Sequence, residues 1–182
     1  MNKKFKSMKW EVMGVVLSLT LIITGIMSFM LLSIHKKSLI NEVELRGISI
    51  ARNIANNIAD YIMMKYELES AKILKEAMQN KGVIYAMVVG SNGVILAHND
   101  MTRVKKKYEA PGKITGATPA KNIIFETPSG EKLIEFTAQA VAKHKAKTGT
   151  VRVAVSYDLI SGALKRTYIN IALVTVIAVI LS

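Results

Sequence analysis

An uncharged run of 23 residues, from 12 to 34, constrains the fold of this chain more than any other stretch of its sequence. A helix of about 20 apolar residues can cross the hydrocarbon core of a bilayer, so this run is long enough to span it with some tilt. A soluble core helix is not expected to lack charge over such a length. A cleaved signal peptide would end in small residues, whereas this run ends Phe-Met-Leu-Leu-Ser-Ile. The sequence therefore predicts an uncleaved transmembrane helix over residues 12–34.

A second uncharged run, residues 167–182, lies at the other end of the chain. With a rise of about 1.5 Å per residue, a helix of this length would reach roughly 24 Å, short of the roughly 30 Å of hydrocarbon in a bilayer. We interpret the run as a second transmembrane helix that the chain enters but does not complete. Truncation of a longer polypeptide explains this better than the alternative, a short natural anchor.

Four lysines precede the first predicted span and indicate its orientation: Lys3, Lys4, Lys6 and Lys9. Positive charge next to a span favours the cytoplasmic side. We therefore expect residues 1–11 in the cytoplasm and residues 35–166 outside the inner (cell) membrane, periplasmic or extracellular, with the second span leading back. The chain has no cysteine, so the exported region has to be stable without disulfides.

A β-hairpin is the clearest element of the predicted exported region. Two runs rich in β-branched residues, 83–89 and 94–97, flank Gly90-Ser91-Asn92-Gly93. β-Branched side chains suit a pleated surface, and Asn-Gly supplies the positive φ of a tight hairpin turn. We place this hairpin at the centre of the sheet.

Helices are predicted before the hairpin. Between residues 40 and 68, side chains recur at intervals of three and four, which is typical of one helical stripe. The stripe comprises Ile40, Val43, Gly47, Ile50, Ile54, Asn57, Tyr61, Met64 and Leu68. It could lie along the sheet or form a dimer seam that continues out of the membrane, and the pattern leaves both open. A second helix is predicted over residues 67–79, ending at Asn80-Lys81-Gly82.

After the hairpin the sequence predicts more sheet. Residues 99–121 lack apolar periodicity and are predicted to form a long loop, of a kind that is more often functional than idle. Strands are predicted over residues 122–127, 132–142 and 150–156, with turns at 128–131 and 144–149 and a helix from Asp158. The fold class is therefore α+β, with a transmembrane helix, a long N-terminal helix, a five-stranded antiparallel sheet and a C-terminal transmembrane helix.

Several of these segments, in this order, resemble a known family. They are Gly82-Val-Ile-Tyr-Ala-Met-Val-Val, the Asn-Gly turn, Val94-Ile-Leu-Ala-His-Asn-Asp, Tyr108 and Lys147-Thr-Gly-Thr-Val-Arg-Val-Ala-Val-Ser. Set between two spans, residues 36–166 resemble the extracytoplasmic Cache sensor domains of bacterial transmembrane receptors, and are most similar to the single-Cache type. The resemblance implies a PAS-like sheet and binding of small molecules that are often carboxylates. It also implies a signal passed through the second span to a histidine kinase, chemoreceptor or nucleotide cyclase.

No catalytic constellation or metal motif is visible in the sequence. The chain has three histidines, His35, His98 and His144, no cysteine, and no glutamate–histidine pairing at metal-ligand spacing. We therefore predict no enzymatic activity for this chain, no cofactor and no metal site.

Five residues are the candidate ligand contacts: Tyr85, His98, Asp100, Arg103 and Tyr108. The two tyrosines could close a pocket by stacking and hydroxyl donation, although core packing suits Tyr85 equally well. His98 and Asp100 either line the pocket or cap a turn. Arg103 could bind a carboxylate through two N–H groups, or belong to a solvated basic run.

The formal net charge of +12 narrows the choice of partners. A basic exported domain enriches anionic ligands or meets anionic lipid headgroups, while its place outside the cell argues against nucleic acid. Our hypothesis is a membrane-anchored sensor, expected as a homodimer, that binds a small organic anion and signals through its second span. The alternative is a membrane-complex subunit whose domain contacts a partner protein. A reading frame that continues into a signalling module would favour the sensor.

Overall fold

The computed structural model describes residues 3–120, 122–143 and 147–181, which form two compact units. Unit 1 contains Met1–Leu39 and Ile160–Ser182, and unit 2 contains Ile40–Leu159. The first half of the turn predicted at 144–149 and the last residue of the predicted second span lie outside the described residues.

Two helices contribute to unit 1. Helix α1, Lys3–Met63, contains the uncharged run of residues 12–34, in which many large apolar side chains are exposed. Within the described ranges, one helix, Trp10–Met63, is long and apolar enough to cross a membrane, in agreement with the span predicted at 12–34. Helix α3, Asp158–Leu181, confirms the helix predicted from Asp158, whereas its passage across a bilayer stays a prediction.

Unit 2 is built around a six-stranded antiparallel sheet, which confirms the α+β class. The strands are β1 Val83–Val89, β2 Ile95–His98, β3 Lys113–Ala117, β4 Ile123–Glu126, β5 Lys132–Val141 and β6 Lys147–Ser156. They lie in the order β2-β1-β6-β5-β4-β3, and every neighbouring pair is antiparallel. Helix α2, Glu67–Ala77, follows α1 after a short turn, and a 3-10 helix, Met101–Arg103, follows β2.

The predicted hairpin is present as β1 and β2. The Gly90 N–H donates to the Val94 carbonyl, and Gly93 has the positive φ of 77° that the turn requires. Its predicted place at the centre of the sheet is wrong. Strand β2 forms an edge and β1 pairs on its other side with β6, so β6 and β5 are the central strands.

The predicted strand count is also wrong, since the sheet has six strands and not five. The additional strand, β3, lies inside the loop predicted at 99–121. All five of its side chains are exposed, so it has no buried face and shows no alternation in the sequence. Strand β6 begins at Lys147, within the predicted turn at 144–149, because Lys147 pairs with Val141 at the end of β5.

The buried side of α1 departs from the predicted stripe. Its buried apolar residues are Ala51, Ile54, Ala55, Ile58 and Ala59. The last four stripe positions, from Asn57 to Leu68, are exposed. Met64 and Leu68 lie beyond the end of α1 at Met63, with Leu68 in α2, so the predicted stripe does not follow one helix over its full length. Within α1, a pattern that averages 3.5 residues per turn drifts by about 20° per heptad around a straight helix, so Asn57 and Tyr61 fall outside the buried side. A dimer seam along α1 stays a prediction.

Helix α1 packs closely against the sheet at Gly47. A Cβ atom placed on Gly47 would lie 2.3 Å from two ring carbons of Phe136, a fully buried residue of β5. Phe136 therefore marks the face of the sheet that α1 covers. The neighbouring Glu135 belongs to the opposite face, because side chains alternate along a strand.

A buried carboxylate attaches the far edge of the sheet to α1. Glu44 accepts hydrogen bonds from the Thr118 hydroxyl, from the Ala120 N–H at 3.0 Å and from the Asn122 side-chain amide at 3.1 Å. An ionised carboxylate out of water needs such partners. These three hydrogen bonds connect the residues between β3 and β4 to Glu44 of α1.

We expect Gly47→Ala to destabilise unit 2 by about 1–3 kcal/mol, because the new methyl group overpacks against Phe136. This cost exceeds the gain of at most about 1 kcal/mol that alanine offers in a helix interior. The measurement is chemical denaturation of the full chain in detergent. Gly116→Ala in β3 is the matched control, because its Cβ would meet only an ordinary contact at 3.9 Å. A Gly47→Ala protein as stable as the wild type would contradict the close packing.

Candidate functional site

The face of the sheet opposite α1 carries the candidate site. An apolar cluster forms its floor, and a tyrosine from the loop after β2 packs against that cluster. The cluster comprises Tyr85, Met87, Val89, Ile95, Leu133 and Ala154, and the loop residue is Tyr108. The sequence predicted both tyrosines as ligand contacts, and the fold brings them to the same place.

Strand register brings Tyr85 and Glu135 together. Both pair with Ala154 of β6, Tyr85 from β1 and Glu135 from β5, so the three residues lie in one row across the sheet. The small side chain of Ala154 leaves room for the Tyr85 hydroxyl to donate to Glu135 Oε2 over 2.7 Å. Burial, followed by the neighbouring Glu135 charge, raises the pKa of Tyr85, so its hydroxyl stays a donor.

Tyr108 reaches the same carboxylate from the loop. That loop turns back along β2, where the Ile95 N–H donates to the Lys106 carbonyl and the Tyr108 N–H donates to the Gly93 carbonyl. The Tyr108 hydroxyl then donates to Glu135 Oε2 over 3.0 Å. Burial, followed by the Glu135 charge, raises the pKa of Tyr108 to about 12.

Arg152 of β6 completes the cluster. Its Nη1 forms an ion pair with Glu135 Oε1, and its guanidinium carbon lies 4.3 Å from the centre of the Tyr108 ring. The Glu135 side chain is 1% exposed and the Arg152 side chain 26% exposed, so the cation is the partner that reaches solvent. The Nε of Arg152 is buried and has no hydrogen-bond partner among the described residues.

His98 lies beside the cluster as a neutral imidazole. Its ring stacks on Tyr85 with 6.2 Å between ring centres, and its Nδ1 accepts a hydrogen bond from the Asp100 N–H. The ring proton is therefore assigned to Nε2, which is buried and unpartnered within the described ranges. Burial, with a smaller effect of the Arg103 charge, lowers the pKa of His98.

Asp100 and Arg103 lie in the exposed 3-10 helix that follows β2. Asp100 Oδ1 accepts hydrogen bonds from the N–H and hydroxyl of Thr102, and these bonds lower the pKa of Asp100. Arg103 is exposed at the end of the same turn. Neither residue joins the cluster around Glu135, and their contact with a ligand stays a prediction.

Glu135 and Arg152 were not predicted as site residues. Glu135 follows Leu-Ile in β5, and Arg152 stands between two valines in β6, so both interrupt apolar strand sequences. A charge within a run of buried strand residues was the available signal, because such a charge needs a partner. The partner itself depends on the register of β5 and β6, which the sequence does not state.

Folding stability should fall between pH 10.0, the ordinary pKa of tyrosine, and about 12, the pKa of Tyr108 in the fold. The raised pKa means that the folded state holds the proton longer than the unfolded chain, so this stabilisation is full below the lower value and lost as pH rises through the upper one. Tyr108→Phe should remove the part of this pH-dependent loss that is due to Tyr108, on the order of 1 kcal/mol in the free energy of unfolding after allowance for solvent screening. Urea unfolding across this range measures the effect, and an identical decline in both proteins would contradict it.

The family of the chain follows from its sequence match. Residues 35–167 match the family described as Single cache domain 3. The chain belongs to this family. The predicted resemblance to the single-Cache type is thereby confirmed, and the matched region is an extracytoplasmic sensor domain of a signalling receptor. Cache sensor domains are ligand-binding modules without enzymatic activity, in line with the prediction for this region.

Several solved structures align with parts of the chain. The E. coli DcuS sensor domain aligns with a TM-score of 0.56 and 10% identity, covering 70% of this chain and 98% of that one. An extracellular ligand-binding receptor from Desulfohalobium retbaense DSM5692 gives 0.48 and 14%, covering 76% and 26%. The ligand-binding domain of the Pseudomonas fluorescens chemoreceptor CtaA, in complex with L-leucine, gives 0.33 and 20%, covering 50% and 39%.

The first of these similarities supports the fold alone, and the other two add nothing to it. No curated protein matches the chain. Within the described residues, no group of three His, Cys, Asp or Glu side chains is placed to hold a metal ion.

Proposed function

We propose that this chain is a membrane-anchored sensor that binds a small organic acid over the Tyr85–Tyr108–Glu135–Arg152 cluster. The observation that carries the proposal is that Arg152 is paired through one nitrogen only and reaches solvent. One of its nitrogens is held by Glu135, while the side chain reaches solvent on the face of the sheet that α1 leaves open. A guanidinium has five N–H donors in a planar fork, so donors remain for a ligand carboxylate.

Further polar side chains lie beside Arg152 on the same face of the sheet. Thr137 of β5 pairs with Arg152, and Gln139 of β5 pairs with Thr150. These polar side chains lie on the same face of the sheet as Glu135, in the direction of the end of β5. Thr137 and Gln139 are exposed, and the Gln139 amide donates to the Thr150 hydroxyl over 3.2 Å. A ligand next to Arg152 would lie against this polar strip.

Glu135 limits which acids fit. It already supplies one negative charge to Arg152, so a second carboxylate at that position meets like charge. A ligand that also carries a hydroxyl or ammonium group would offset this repulsion by donating to Glu135. We therefore propose α-hydroxy or α-amino monocarboxylates as the ligand class, in preference to dicarboxylates.

The signal would leave through β6 and α3. Arg152 lies in β6, which ends at Ser156, and α3 begins at Asp158. The first turn of α3 meets the start of β1, because a Cβ on Gly82 would lie 2.3 Å from Leu159. We propose that α3 enters the membrane as the second span and that ligand binding shifts β6 and α3 toward an output module. Such a shift requires two conformations of different ligand affinity.

The test is a ligand panel on the full chain in lipid nanodiscs, read by thermal unfolding in the tyrosine near-ultraviolet circular dichroism. L-Lactate or L-alanine should raise the unfolding midpoint, since a ligand at 100 times its Kd stabilises by about 2.7 kcal/mol. Propionate, which lacks the donor, and succinate, which adds a carboxylate, should have little effect. The matched variants are Arg152→Lys and Arg103→Lys.

Arg152→Lys keeps the ion pair with Glu135 but loses the planar fork, so it should abolish the ligand shift while the protein stays folded. Arg103→Lys should leave the shift unchanged. A shift that survives Arg152→Lys would contradict the site. The absence of any shift across the panel would contradict ligand sensing and favour the alternative of a domain that contacts a partner protein.

A further inference from the structure

A cavity lies away from the Glu135 cluster. It has a volume of about 460 Å³ and is bounded by the end of α1, the start of α2, β2 and the loop after β2. Its lining residues are Tyr61, Ile62, Lys65, Tyr66, Glu67, Ser70, Val94, Ile95, Leu96 and Lys105. Apart from Ile95, which also belongs to the apolar floor of the first site, it shares no residue with that site.

Two lysines in this lining have an unusual backbone. Lys65 has φ of 58° and Lys105 has φ of 70°, and no other non-glycine residue in the described ranges has a positive φ. This left-handed region is disfavoured for residues with a Cβ atom, and lysine lacks the short polar side chain that helps asparagine to adopt it. Both exceptions line the same cavity.

Each lysine occupies a position where glycine is the usual residue. At the end of α1, the Tyr66 N–H donates to the Tyr61 carbonyl and the Lys65 N–H to the Ile62 carbonyl, which places Lys65 at the left-handed site of a Schellman motif. At the edge of the sheet, Lys105 donates to the Ile95 carbonyl, and the Lys106 carbonyl accepts from the Ile95 N–H. The fold tolerates both conformations, but it does not require lysine in either.

The charge and shape of the cavity indicate what it could hold. Lys105 forms an ion pair with Glu67 at 3.0 Å, whereas Lys65 has no ion pair among the described residues, so one cation is in surplus. The rings of Tyr61 and Tyr66 stand 6.4 Å apart and are tilted by 48°. Val94 and Leu96 contribute aliphatic surface. A flat apolar body with one negative charge matches these features.

We propose that this cavity binds a small aromatic monocarboxylate. The carboxylate pairs with Lys65 and Lys105, and the aromatic ring lies against Tyr61 and Tyr66, where offset or edge-to-face ring contacts are favourable. In this site the side chains of the two left-handed lysines hold the anion, in the way that strained residues cluster at binding sites. This site is separate from the one in the proposed function and does not depend on it.

The test uses benzoate as the probe and the full chain in nanodiscs, with saturation-transfer difference NMR and empty nanodiscs as the blank. Benzoate should bind saturably, and benzamide, its neutral analogue, should bind at least ten-fold more weakly. Lys65→Gln should weaken benzoate binding at least ten-fold. Lys113→Gln, which removes an equally exposed charge from edge strand β3, should leave binding unchanged.

Lys65→Gly and Lys105→Gly separate a binding role from a structural one. Each should raise the thermal midpoint by relieving the left-handed backbone, and each should weaken benzoate binding, so that stability and affinity move in opposite directions. The proposal is overturned if benzoate gives no saturable signal, or if both glycine variants bind it as tightly as the wild type. Loss of benzoate binding in Arg152→Lys, with binding unchanged in Lys65→Gln, would also overturn it, because benzoate would then bind at the Glu135–Arg152 cluster.

Discussion

The buried ion pair between Glu135 and Arg152 is the interaction on which the candidate site depends. Moving a carboxylate out of water is costly unless its partners replace the lost hydration. Here Arg152 and the hydroxyls of Tyr85 and Tyr108 supply them, across the gap that Ala154 leaves between β1 and β5. The loop after β2 is thereby fixed to the sheet, because Tyr108 is its contact with the carboxylate.

In the proposed function, the same pair would connect the bound ligand to β6 and α3. Arg152 belongs to β6, a central strand that pairs with β1 on one side and β5 on the other and is followed by α3. A ligand that draws the guanidinium away from Glu135 would alter the hydrogen bonds that Arg152 donates to Glu135 of β5 and to the Tyr108 hydroxyl of the loop. The other face of the sheet is packed against α1 through Phe136 and Gly47, so that face offers little room for movement.

Sequence reasoning reached the elements whose signals are local. The uncharged run at 12–34 and the Asn-Gly hairpin both depend on composition or short spacing. The tyrosines at 85 and 108 were named from residue type, and their contact with a ligand stays a prediction. Sequence reasoning missed β3, whose side chains are all exposed, and it followed a 3.5-residue pattern off the buried side of α1. It also missed Glu135 and Arg152, which are 17 residues apart in the chain and meet only through the register of β5 and β6.

A double-mutant cycle on Glu135 and Arg152 tests this account most directly. Arg152→Met would leave the buried Glu135 carboxylate without its cation, and we expect it to destabilise the protein by about 3–5 kcal/mol. Glu135→Gln leaves a guanidinium that still reaches solvent, so its loss should be smaller, about 1–3 kcal/mol. The double variant leaves no buried charge, so it should lose less than the sum of the single losses, with a coupling of about 1–3 kcal/mol in urea unfolding of the full chain. Additive losses, with coupling within about 0.5 kcal/mol of zero, would show that the pair does not hold the site together.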